Sequence, residues 1–242
     1  MSTPKASTPA TRKRRSDGEA TRKRILSAAL ASFRERGFDA TTMRDVAKAA
    51  GLSLGAAYHY FPGKEAIVLA YYVELEQRFT ARIGPALAEA GPDLRKRLGL
   101  VFDIKFEVLR RDRKLVAALF RTAGDPDSML SPFAAESAAV RARNVEHFLA
   151  ALSVPACPDE LRQPLAEAFF VMHLALMLLY LHDRSPRQAR SAAVTGGLLD
   201  AACQAMPLLA SPLGAALRPR LFQVLGDVAT IAGLRGDAAA GE

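Results

Sequence analysis

Only two cysteines, Cys157 and Cys203, occur in the 242 residues, far apart and with no CxxC or His-x-x-x-His spacing near them. A disulfide-stapled scaffold and a zinc ribbon are therefore not supported, and two reduced, buried thiols are the expectation. The four histidines are scattered, and no nucleotide-binding loop, Gly-x-Ser-x-Gly turn or metal-ligand cluster is present. Nothing in the chain thus argues for an enzyme, a metal or a cofactor. Long apolar runs are also missing. Phe169–Leu181, the most hydrophobic, has 13 residues and contains His173, against the roughly 20 that a membrane span needs. The N-terminus carries no apolar signal segment, so a soluble, cytoplasmic protein with no membrane partner is expected. Strand-period alternation and repeats of fixed period are likewise absent, which leaves an all-α chain.

What the chain does have is basic charge at one end. The net charge is +8, and residues 1–64 hold 13 Lys and Arg against 5 Asp and Glu. The remainder, 65–242, is balanced at 20 of each. A polyanion met at the N-terminal end is the physical implication, although an anionic membrane surface would draw the same charge.

Within that end lies Thr41–Phe61, TTMRDVAKAAGLSLGAAYHYF. Thr42 and Asp45 have capping-box spacing at the start of one short helix, and Met43, Val46, Ala47 and Ala50 share a side of it. Gly51 supplies a tight turn, Leu52 plugs the interhelical angle, and Ser53 caps a second helix. That helix opens with small residues, Gly55, Ala56 and Ala57, and ends in Tyr58, His59, Tyr60 and Phe61. A smooth start allows close entry into a DNA major groove, where hydroxyls and an imidazole reach phosphates or bases. Before it, Ile25, Ala29 and Phe33, widened by Leu26 and Leu30, predict a helix over 19–36 closed by Gly37-Phe38.

These features, taken in order from Gly37-Phe38 through Thr41-Thr42, Val46-Ala47, Gly51 and Tyr58–Phe61 to Lys64, resemble the DNA-binding domain of the TetR family of bacterial transcriptional regulators. The resemblance covers about the first third of the chain. It implies a three-helix helix-turn-helix domain followed by a larger helical ligand-binding and dimerisation domain. It also implies a homodimer on a palindromic double-stranded operator, released by a small effector, and the adaptable Met and Phe side chains of the body suggest that this effector is lipophilic. Carried over residue by residue, it assigns DNA contacts to Thr42, Arg44, Ser53, Leu54, Gly55, Ala56, Tyr58, His59, Tyr60 and Lys64, with a phosphate at Lys64. Leu54, Gly55 and Ala56 stand where the family reads bases yet carry no long polar group, so selectivity falls to His59, apolar contacts and shape. A ligand-responsive activator, a non-specific architectural protein and an enzyme using the body's cavity are the alternatives.

The expected organisation is a disordered basic tail at 1–18, the DNA-binding domain at 19–79 (helix-turn-helix at 42–61), a helical body at 80–232 and a flexible tail at 233–242. Gly84-Pro85 and Gly91-Pro92 are expected to break the helix that begins near Lys64. Body helices are predicted near 94–121 (divided around Asp112), 133–152, 161–182, 187–206 and 214–232. The 161–182 helix is apolar nearly all round and 187–206 is rich in small residues, so the two are the expected dimer-forming pair. Phe102, Phe106 and Leu109, with Met172, Met177 and His173, are the candidate effector-pocket residues, because Phe and Met suit an adaptable apolar cavity.

Overall fold

The computed structural model describes residues 9–125 and 127–235, and every described element is helical. The chain parts into two compact units, 1–71 and 72–242.

In the first unit, α1 (Pro9–Arg36) packs on α2 (Met43–Ala49), and α2 packs on α3 (Leu54–Tyr60). The i, i+4 stripe is the core: Ile25, Leu26, Ala29, Leu30 and Phe33 are buried, as are Met43, Val46, Ala47, Ala57 and Phe61. Each large side chain fully withdrawn from water contributes about 1.5–3 kcal/mol, which is how a unit of this size holds the two short helices α2 and α3 on the longer α1. Gly37, at φ +90, ends α1, and the Phe38 ring packs edge-on against Phe33 with centroids 5.2 Å apart. Buried Thr41 donates its hydroxyl to the Gly37 carbonyl at 2.7 Å. α1 starts ten residues before the predicted 19, so residues 9–18 are helical where a disordered tail was expected. Arg and Lys supply four of those ten residues, and both are good helix formers despite their charge. Residues 1–8 of the expected tail lie outside the described residues.

α4 (Lys64–Glu89) runs on past Gly84-Pro85, correcting the predicted break, and the two units divide within it at 71/72 rather than at 79/80. An internal proline costs about 3 kcal/mol. Burial of Ile83 and Leu87 on either side of Pro85 offsets that cost.

The second unit continues with α5 (Leu94–Arg110), α6 (Arg113–Ala123), α7 (Ala138–Leu152), α8 (Asp159–His182), α9 (Ala189–Ala210), the short α10 (Pro212–Ala215) and α11 (Arg218–Ile231). α8 is central and packs on α5, α6, α7, α9 and α11. Leu98, Phe102, Phe148, Leu152, Leu161 and Leu176 form the fully buried centre. Two arginines close helix ends. Arg97 donates to the carbonyls of Leu87 and Gly91 at the end of α4 and of Ala150 and Ala151 at the end of α7. Arg113 does the same for Tyr180, Leu181 and Asp183 at the end of α8. The expected tail is partly fixed, because Leu234 packs against the core and Arg235 donates to Glu167 at 2.7 Å. Residues 236–242 lie outside the described residues.

Asp159–His182 and Pro186–Ala210 are long and apolar enough to cross a membrane by length and composition, with 44% and 17% of their most apolar windows buried. The 13-residue run Phe169–Leu181 lies within the first of these helices, which continues past it through polar residues at both ends. Cys157 is buried and Cys203 half-buried, and both are free.

Candidate nucleic-acid interface and effector cavity

The helix-turn-helix geometry rests on local hydrogen bonds. The Asp45 amide donates to Thr42 Oγ1 at 3.2 Å, and the Thr42 amide donates to Asp45 Oδ2 at 2.9 Å, which completes the capping box. These bonds, led by the Thr42 hydroxyl, hold the Asp45 carboxyl down at about 2. After α2, Gly51 takes φ +66, its amide donates to the Lys48 carbonyl, and Leu52 N–H donates to Ala47 at 2.9 Å. That pair of bonds is a Schellman closure. Ser53 Oγ then accepts from the Ala56 amide at 3.2 Å and starts α3.

α3 buries Ala57 alone and is closed by fully buried Phe61, leaving Leu54, Gly55, Tyr58 and His59 exposed and Ala56 and Tyr60 half-buried. Thr42, Arg44 and Ser53 are exposed beside it. The predicted contact residues of α2 and α3 therefore lie on the accessible side of one motif. Lys64 differs. Its ammonium donates to the Phe38 carbonyl at 2.8 Å, reaches that of Asp39 at 3.4 Å, and stands 4.6 Å from the centre of the Phe38 ring. It ties down the turn after α1. Arg22, on α1, covers the Phe61 ring at 4.7 Å.

The second unit holds a cavity of about 150 Å³. Leu109, His173 and Met177 line it, as the sequence suggested, whereas Phe102, Phe106 and Met172 do not. Phe102 is fully buried in the core, and Phe106 stacks on Tyr180 with centroids 4.7 Å apart. Met172 is half-buried against the core. Phe102 and Phe106 on α5 and Met172 on α8 thus lie outside the wall to which Leu109 and His173 contribute.

Sequence reasoning missed the polar part of the wall. Lys105 donates to Asn144 Oδ1, Asn144 Nδ2 donates to Glu76 Oε2 at 2.9 Å, and all three residues are buried. Desolvation pulls Lys105 down to about 8 against the opposing pull of Glu76, and desolvation pushes Glu76 up against Lys105. His147 Nδ1 lies 3.1 Å from Glu76 Oε1. Burial, with Lys105 nearby, lowers its pKa to about 3, so this is the contact of a neutral ring and not an ion pair. A signal for Lys105 was present: it stands three residues after Phe102 and four before Leu109, on the buried stripe of α5.

Two short helices joined by a tight turn, with the second exposed behind a capped start, define a helix-turn-helix protein. The family model described as "Bacterial regulatory proteins, tetR family" matches residues 25–71. The HTH-type transcriptional regulator UidR of Escherichia coli K12 is 38% identical over 66 residues, 27% of this chain and 34% of that protein. A TetR-family regulator from Streptomyces coelicolor superimposes with a TM-score of 0.58 at 26% identity, covering 90% of this chain and 99% of the other. One from Syntrophomonas wolfei does so with a TM-score of 0.62 at 16% identity, over 76% and 95%. Residues 25–71 thus carry a DNA-binding segment of the TetR type, and the helical fold is similar to that of solved TetR-family regulators. The match to UidR spans about a third of that protein's length, and the proteins so matched are transcriptional regulators, not enzymes.

Proposed function

We propose that the protein is a homodimeric, sequence-specific DNA-binding transcriptional regulator, cytoplasmic, that a small effector releases from its operator. The carrying observation is α3, whose small-residue start and Tyr58–His59 end are exposed while Ala57 and Phe61 alone anchor it. Such a helix enters a major groove with little steric obstruction, and the capped N-termini of α2 and α3 offer backbone amides to phosphates. Ser53, Thr42, Arg44 and Tyr60 flank that approach.

One helix-turn-helix reads one half-site, so a dimer supplies the second. Exposed Leu178 and Leu179 on α8 and Val194 and Leu198 on α9 support pairing through that face. Repression is the mode expected of such a regulator. A ligand that fits the cavity in only one of two dimer spacings shifts the population toward that spacing, and α4, which runs through both units, carries the change.

Selecting bound duplexes from random DNA tests the proposal. A palindromic consensus retained at raised salt is expected. Equal affinity for all duplexes with steep salt dependence would instead mark a non-specific architectural protein.

A further inference from the structure

Among the described residues the His173 side chain finds no hydrogen-bond partner. It lines the cavity with both ring nitrogens buried and unpartnered, and Ser137 Oγ in the same wall is also unpartnered. Interiors pair nearly all such atoms, so orphans in a cavity wall mark where an occupant supplies the partner. Burial, with Lys105 nearby, keeps the ring neutral, leaving one N–H donor and one acceptor nitrogen.

The charges around it do not balance. Glu76 and Lys105 offset each other through Asn144. Arg141, also in the wall and buried, is held by the carbonyls of Pro132, Ala134 and Gly233 at 2.7–3.0 Å. Among the described residues no carboxylate pairs with it. One positive charge is therefore left over beside a neutral donor, and Leu109, Val116 and Phe120 are among the apolar residues that line the same space. At about 150 Å³ the space suits a benzene-sized body.

We infer that the occupant is a small monocarboxylic acid with a ring-sized or short apolar body. Its carboxylate accepts from His173 and lies in the field of Arg141 and Lys105. A cation is disfavoured by the surplus charge. A neutral hydrocarbon would leave the imidazole and Ser137 hydroxyl as unpaired as they are now. The inference rests on the proposed reading of the cavity as the effector site.

The test is calorimetric titration of the full chain at pH 7 with two acids and their neutral isosteres, benzoate against benzamide and hexanoate against hexanamide, plus benzylamine. At least one acid should bind about tenfold or more tightly than its amide, the worth of a hydrogen bond to a charged group, and benzylamine should not bind. Equal or tighter binding of both amides, binding of the amine alone, or no binding by any of the five would overturn the inference. His173→Leu should fold and lose the acid-over-amide preference by about tenfold; full preference in a folded variant would count against the inference. The wild-type panel decides the ligand class even if that variant fails to fold. Displacement of the selected duplex is read separately. Acid binding without release upholds the ligand class and counts against the proposed function.

Discussion

The Lys105 ammonium donates to Oδ1 of Asn144 and not to a carboxylate, while the same carboxamide donates to Glu76 at 2.9 Å. Asn144 thereby relays between two buried charges and also donates to the Val140 carbonyl of its own helix at 2.7 Å. The Lys105 ammonium lies 3.9 Å from the centre of the Phe79 ring, whose face supplies further attraction. Lys105 and Glu76 are both pushed toward neutrality by desolvation, so the relay is what keeps each charged form tolerable in the interior.

Asn144→Leu should accordingly be costly, because it strands two buried charges and not one hydrogen bond. A loss of about 3–5 kcal/mol is expected, the range for breaking a buried pair. The triple variant Glu76→Leu, Lys105→Met, Asn144→Leu should recover most of it, since a fully apolar replacement leaves no charge uncompensated. Urea denaturation of the three proteins checks this. A triple variant no more stable than Asn144→Leu would contradict the relay.

His173 gives a pH signature. Its folded pKa lies well below 6.5 because burial and, second, Lys105 oppose its charge. The unfolded chain therefore binds a proton that the folded chain refuses, and stability is lost as pH falls from the unfolded value toward the folded one. One such proton is worth up to about 1.4 kcal/mol per pH unit. His147, held at about 3, acts in the same sense, and Glu76, pushed up, acts in the opposite one. Comparison with His173→Leu cancels both. Between pH 6.5 and 5 the wild type should lose stability about 1–1.4 kcal/mol per unit faster than the variant, measured by urea denaturation at several pH values. Parallel curves would mean that His173 finds its partner within the folded protein.

The helix-turn-helix was legible in the sequence because its determinants are local. Capping by Thr42–Asp45 and Ser53, the positive φ of Gly51 and the stripe of Ile25, Ala29 and Phe33 each act within a few residues. The cavity was less legible because its wall is assembled from α4 to α8, and periodicity shows which residues are buried but not what they are buried against. Phe102 and Leu109 look equivalent on that stripe, yet only Leu109 faces the opening. Lys105 was passed over for its residue type, and Pro85 read as a break because local cost was weighed without the burial that offsets it.

Lys64→Ala separates a positioning role from a phosphate contact. The ammonium is engaged with the carbonyls after α1, so its loss should lower stability by about 1 kcal/mol, seen as a lower Tm, together with weaker operator binding. Lys64→Gln can still donate to Phe38 without carrying charge, and should restore more of the Tm than of the affinity if the ammonium also meets a phosphate. A variant with unaltered Tm would show that the turn after α1 does not need this bond.

Gly55→Ala gives the sharpest test of the reading head, because stability and binding should move in opposite directions. Gly55 sits in the first turn of α3 with ordinary helical backbone, and a Cβ there meets nothing within 4 Å. Alanine in a helix is about 0.5–1 kcal/mol better than glycine, so the variant should match or slightly exceed the wild-type Tm. If α3 lies close in a major groove, the added methyl group is pressed against base edges or the thymine methyl. Affinity for the selected duplex should then fall about tenfold or more, a cost near 1.4 kcal/mol. Tyr58→Ala, at a side chain that is 48% exposed, should weaken binding without loss of stability or of dimer. Fluorescence anisotropy with the selected duplex, alongside thermal melts, gives both readings. Undiminished affinity in both variants would move the interface away from the exposed side of α3, whereas loss in Gly55→Ala with an intact fold fixes the distance of approach at this glycine.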